Sequence, residues 1–182
     1  MLGLGLGLGL AVPLAGRTAA PGVAPAAVGI SLALPADAGA VIVRWSSTGG
    51  MQPTADADVL LIHANGDFSA RAASGDSRRR TGRLDAQALH ALLTWLIEPQ
   101  GFVRLCGEAM LAEIQLISAR GGRLFSVMDG GEVRFEINLP KVQHRVSFAA
   151  LDAAFLRFPE VDGLRRLHAI KQRLLGLAET AR

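Results

Sequence analysis

The spacing of apolar residues changes several times along this chain, and each change marks a separate element. Residues 41–45 form an apolar, β-branched run that ends in Ser46, Ser47, Thr48, Gly49 and Gly50, which reads as a strand stopped by paired glycines. A second run covers residues 59–63. Asn65-Gly66 separates it from residues 68–72, where apolar and polar positions alternate, and Asn-Gly between two such runs predicts a hairpin. Residues 74–83 are polar and contain glycine, so they read as an exposed connection. Asp85 is placed as a helix N-cap, with Leu84 and Leu89 as a hydrophobic staple around it. Leu89, Leu92, Leu93, Leu96 and Ile97 then recur at helical spacing until Pro99 ends the run.

The helical rhythm returns at residues 107–120 through Met110, Leu111, Ile114 and Ile117, and Gly121-Gly122 stands where a C-terminal glycine belongs. Val133, Phe135, Ile137 and Leu139 alternate with Glu132, Arg134, Glu136 and Asn138, the signature of a half-buried strand. Pro140 and Lys141 turn it, and Val142, His144, Val146 and Phe148 continue the alternation on a returning strand. Residues 123–128 fit either a fifth strand or a loop. A short helix is expected near residues 151–155. A longer one follows, with Pro159 in its first turn and Val161, Leu164, Leu167, Ile170 and Leu174 as its buried stripe. These elements define an α+β fold: an antiparallel sheet of four to five strands, built from two hairpins and a first strand, with helices packed on one face.

Composition adds a compartment and removes some function classes. Residues 1–28 begin with sixteen uncharged residues that alternate Leu with Gly from Leu2 to Leu10, a signal-like apolar leader too short for a membrane span. No basic residue precedes the tract, so three readings stay open: a removed signal, an uncleaved anchor, or a low-complexity tail that leaves the protein in the cytoplasm. Residues 29–40 form an Ala/Pro/Gly-rich linker, and residues 41–178 are of the size of one domain with its own core. The isoelectric point of about 10.0 does not signal nucleic-acid binding. The net charge is only +3, there is no Tyr, and seventeen of the nineteen cations are Arg, so a small excess moves the isoelectric point far. The single Cys106 excludes an internal disulfide and a multi-thiolate zinc site.

No catalytic motif stands out. The glycines at 3, 5, 7 and 9 lack dinucleotide-loop spacing, neither Lys141 nor Lys171 follows a glycine as a P-loop requires, and no Ser has the flanks of a nucleophile elbow. Cys106 could pair with His90 or His144 only through folding, and between Leu105 and Gly107 it reads as a small buried hydrophobe. His63, His90, His144 and His168 are far apart in sequence, and Asp56, Asp58 and Asp67 lack calcium-loop spacing, so neither a metal nor any other cofactor is expected. Two surface features carry interest. Arg78, Arg79, Arg80 and Arg83 place four cations in the exposed connection, enough to attract an acidic partner, although such runs are commonly just solvated. Met51 lies beside the Gly49-Gly50 turn as a second candidate for partner binding, whereas Trp45 is assigned to the core.

The order of these elements resembles the emfourin family. The shared features are a first strand ending in Gly49, Gly50 and Met51, two further strands, the Leu89, Leu92, Leu93 helix, Phe102 after it, a two-strand hairpin, and the closing helix with Pro159, Leu164 and Leu167. Exported bacterial proteins of uncharacterised role share the strand, Gly-Gly and closing-helix pattern. The resemblance spans about residues 41–178 and implies a small bacterial inhibitor of thermolysin-like metallopeptidases. The leader, the long connection at 74–83 and the helix at 107–120 depart from that pattern, so no inhibitory residue is carried over. The expected function is an exported, non-enzymatic protein-interaction domain, with peptidase inhibition as its narrow form. An enzyme whose site assembles from distant residues and an envelope-associated structural domain are the alternatives. A protein partner is expected, no nucleic acid, and a membrane only through an uncleaved leader.

Overall fold

The run at 41–45 becomes the strand on which the rest is assembled. A computed structural model describes residues 32–49, 57–71, 79–122 and 130–182. Strand β1 (Val41–Ser47) pairs antiparallel on one side with β2 (Ala57–His63) and on the other with β5 (Glu132–Leu139). Beyond β2 lie β3 (Asp67–Arg71) and β4 (Arg79–Arg83), and beyond β5 lies β6 (Val142–Ala149), which gives, among the described residues, a six-stranded sheet of order β4-β3-β2-β1-β5-β6. The helices are α1 (Ala86–Ile97), α2 (Gly107–Gly121), α3 (Leu151–Arg157) and α4 (Asp162–Glu179), with a 3-10 turn at Phe102–Arg104. The class is α+β, with one strand more than the pattern predicted: β4 stands where a polar connection was expected.

Register divides the sheet into two chemically different faces. Val43 lies between Ile137 and Ile62, and Trp45 lies between Phe135 and Leu60, so one face is a continuous apolar layer. The layer continues into Val146 beyond Phe135 and into Phe68 and Ala70 beyond β2. On the intervening positions Arg44 lies 3.8 Å from Asp58 and 4.0 Å from Glu136, and Arg145 lies 3.4 Å from Glu136. Water therefore contacts one face and the helices pack on the other, as the period-2 alternation predicts. Leu164, Leu167, Ile170 and Leu174 of α4, with the α1 leucines, close the core.

Local chemistry explains the ends of the elements. Asp85 accepts from the Ala88 N–H at 2.7 Å and starts α1, as expected of an N-cap. Gly122 ends α2 with φ of 62°. The β2–β3 hairpin closes with Gly66 N–H donating to the His63 carbonyl at 2.9 Å, and Gly66 alone in that turn has positive φ, 86°. It is a three-residue turn ended by a left-handed glycine rather than a primed two-residue turn. Gly66 is required twice over, because a Cβ there would also overlap the Leu84 carbonyl oxygen.

Three sequence expectations are corrected. Pro159 sits in a turn before α4, whose N-cap is Val161; the Val161 N–H donates back to Phe158 at 3.1 Å and delays the helix to Asp162. Leu111 of α2 is 43% exposed, because α2 buries only Met110 and Ile114 and leaves the adjacent stripe to water. The polar stretch ending at Arg83 is an edge strand over Arg79–Arg83. The ambiguous residues 123–128, the leader and Met51 lie outside the described residues. Within the segment read as a linker, Leu32 packs partly buried against the core, and His63 Nδ1 donates to the Gly39 carbonyl at 2.7 Å.

Two substitutions test this construction. Phe135 is 1% exposed and stacks on Trp45 with ring centroids 5.9 Å apart, so Phe135→Ala is expected to cost about 3–5 kcal/mol by urea unfolding. Gly66→Ala is expected to cost about 2 kcal/mol or more, from the left-handed backbone and the overlap with Leu84 together, and a loss under about 0.5 kcal/mol would refute the turn geometry.

Candidate functional site

Strand β4 has no apolar alternation of its own, with the sequence Arg-Arg-Thr-Gly-Arg, so periodicity alone cannot announce it. It forms because the edge of β3 offers unpaired backbone groups, and the register runs from Asp67 opposite Arg83 to Arg71 opposite Arg79. Gly82 faces Phe68, and a Cβ at Gly82 would overlap that ring. The aromatic ring thus occupies the place of the missing side chain, a packing device that stabilises glycine in strands.

Charge is distributed unevenly across the sheet. Strands β1, β2, β5 and β6 carry Arg44, Arg134 and Arg145 against Asp58, Glu132 and Glu136, which balance to zero. Strands β3 and β4 carry Arg71, Arg79, Arg80 and Arg83 against Asp67 alone, a formal +3 confined to one edge. Arg71 and Arg79 are directly opposed in register, a like-charge arrangement that disfavours pairing. Arg83 lies 3.2 Å from Asp67, and the Arg79 guanidinium donates to the Asp58 carbonyl at 3.2 Å. Arg71 and Arg80 are exposed and form no ion pair among the described residues. Of the sequence candidates, the structure therefore brings Arg79, Arg80 and Arg83 together and adds Arg71, which only the β3–β4 register reveals. Arg78 lies outside the described residues, as Met51 does.

The far end of α4 returns to this edge. Thr81 N–H donates to the Arg182 carbonyl at 3.0 Å, and Arg182 N–H donates to the Thr81 carbonyl at 3.0 Å. Ala181 beside it is buried. A small cleft of about 350 Å³ lies between β4 and this end of the chain, with Phe68, Gly82 and Leu177 among its lining residues.

A second concavity, of about 500 Å³, lies at the opposite edge of the sheet between β6 and the start of α2. It contains Cys106 and His144, the Cys-His pair that folding could have joined. Cys106 is exposed rather than buried, because it is the N-cap of α2 and the neighbouring Leu105 takes the inward position. His144 is occupied elsewhere: its Nε2 donates to the Leu105 carbonyl at 2.8 Å, and its ring meets Phe102 edge-on at 5.3 Å. His63 and His144 sit three strand spacings apart, about 14 Å across the sheet, and are offset along it as well, His63 level with Val41 and His144 with Val43. His90 lies 3.5 Å from the Thr94 hydroxyl, and His168 stacks on Phe155 at 4.1 Å beside Asp152. Among the described residues no group of three or more His, Cys, Asp or Glu side chains is placed to hold a metal ion. Nor is any described helix long and apolar enough to cross a membrane.

The fold and this edge define the protein as an α+β domain with a neutral sheet face and one cationic margin. No protein-family model matches the chain, and neither a curated protein nor a solved structure matches it.

The exposure of Cys106 is directly testable. A maleimide is expected to add one equivalent to the folded protein within a few-fold of the rate seen after urea unfolding, read by intact mass. Protection by about a hundredfold or more would place the thiol in the interior instead.

Proposed function

We propose that this chain is an exported, non-enzymatic protein-interaction domain that presents β4 and its neighbour β3 to an acidic partner. The observation that carries the reading is the formal +3 collected on two adjoining strands, with Arg71 set against Arg79, while the rest of the sheet is neutral. Like charges opposed across a strand pair cost stability in the free domain. A carboxylate-rich surface relieves that repulsion on binding and also speeds encounter, because an unbalanced patch of charge steers diffusion. The export half of the reading is supported by the uncharged Leu/Gly tract at the start of the chain.

Replacing Arg78, Arg79, Arg80 and Arg83 by Ser tests the reading. The melting midpoint is expected to move by less than about 5 °C, since solvated charges contribute little to stability. The on-rate onto a polyglutamate-coated sensor is expected to fall by roughly tenfold at low ionic strength, with the difference closing as salt is raised. An unchanged on-rate at low salt would remove the arginines from function, and unfolding of the variant would make them structural.

A further inference from the structure

We infer that the free edge of β4 is a strand-addition site for an extended polypeptide of alternating acidic and apolar residues, and that Arg182 occupies part of this edge in the free domain. The inference rests on the acidic-partner reading above and specifies how the partner binds.

The reciprocal hydrogen bonds between Thr81 and Arg182 are those of an antiparallel residue pair. They show that the backbone groups of Thr81 point away from β3. Alternation along the strand then turns the backbone groups of Arg79 and Arg83 the same way. Strand β4 ends the sheet, and among the described residues no backbone group pairs with Arg79 or Arg83 on that side. Among the described residues Arg182 therefore pairs with this edge at Thr81 and leaves the outward backbone groups of Arg79 and Arg83 without a backbone partner.

Side-chain chemistry selects the occupant. Arg79, Thr81 and Arg83 share the water-facing side of β4; the Arg79 guanidinium leans inward to the Asp58 carbonyl and Arg83 to Asp67, each through one of its several N–H donors, so a segment added alongside borders two guanidinium groups with further donors to offer. Carboxylates on that side of the added strand match them. The opposite side carries Arg80 and borders the cleft of about 350 Å³, whose lining joins Phe68, Leu84 and Leu177 to Thr180 and Arg182, so apolar side chains of the added strand have apolar surface to meet there. A second copy of β4 fits poorly, because antiparallel self-pairing about Thr81 would set Arg79 against Arg83 of the other copy. The β6 edge offers no equivalent. There α2 starts so close that a Cβ on Gly107 would overlap the Ser147 carbonyl oxygen.

Two labelled octapeptides, (Glu-Val)4 and (Glu-Pro)4, test this on the full chain at low ionic strength by fluorescence anisotropy. Their charge is equal, but proline has no N–H to donate to an edge. The expected result is that (Glu-Val)4 binds about tenfold more tightly than (Glu-Pro)4, the effect of a few backbone hydrogen bonds. Thr81→Pro is expected to abolish that preference without moving the melting midpoint, since the Thr81 N–H bonds to Arg182 and not to β3. Arg182→Pro, which removes a competing donor, is expected to tighten (Glu-Val)4 binding a few-fold even though it removes a positive charge. Equal affinity of the two peptides for the wild-type chain would overturn strand addition and leave the acidic-partner reading standing. If neither peptide binds the wild-type chain, that reading falls as well. The wild-type comparison decides the matter by itself if Thr81→Pro does not fold.

Discussion

Strand β1 is the joint, within the sheet, between two sets of strands that are far apart in sequence. On one side it holds the β2–β3–β4 meander and on the other the β5–β6 hairpin, so among the described residues these two sets of strands are joined in the sheet through β1, and the Thr81–Arg182 pair is a second, smaller backbone link between the halves. Trp45 concentrates that role. It lies opposite Leu60 and Phe135 at once, stacks on Phe135, and is almost wholly buried. Among the described residues its indole Nε1 has no hydrogen-bond partner, and an unmet buried donor costs about 1–3 kcal/mol. The large apolar contact of the ring offsets that loss. Every helix that covers the apolar face relies on this continuous layer, because a sheet divided at β1 would leave each half with too little buried area to stand alone.

The two edges of the sheet are closed by different means, and the difference bears on function. At β6 the start of α2 lies against Ser147 because residue 107 is glycine, and α2 is itself anchored through Met110 and Ile114. At β4 the covering element among the described residues is one residue pair, Thr81 with Arg182, beside four arginines that repel a second copy of the same strand. Positive charge on an edge strand is a common guard against self-association. The same charge selects for an anionic partner, so protection from like chains and attraction of acidic ones arise from one feature.

Much of the candidate site could be read from the sequence, though not its form. The arginines at 79, 80 and 83 were visible as a charge run, but a polar segment with no alternation looks like a loop, and only pairing with β3 makes it a strand. Arg71 was invisible as a partner because the pairing that opposes it to Arg79 joins residues on either side of a connection. The same limit applies to Cys106. Its apolar neighbour Leu105 suggested burial, and the outcome depended on which of the two residues the start of α2 turned inward.

Periodicity, caps and turn residues determined the α+β class, the leucine face of α1, the Asp85 cap, the Gly66 and Gly122 turns and the β5–β6 hairpin, because each depends on residues within a few positions of one another. Strand order, the central place of β1, the existence of β4, the exposure of Leu111 and the Thr81–Arg182 pair were decided only by tertiary structure. Those features are set by backbone groups seeking partners and by apolar surface shared between distant segments. Neither demand leaves a mark on local spacing.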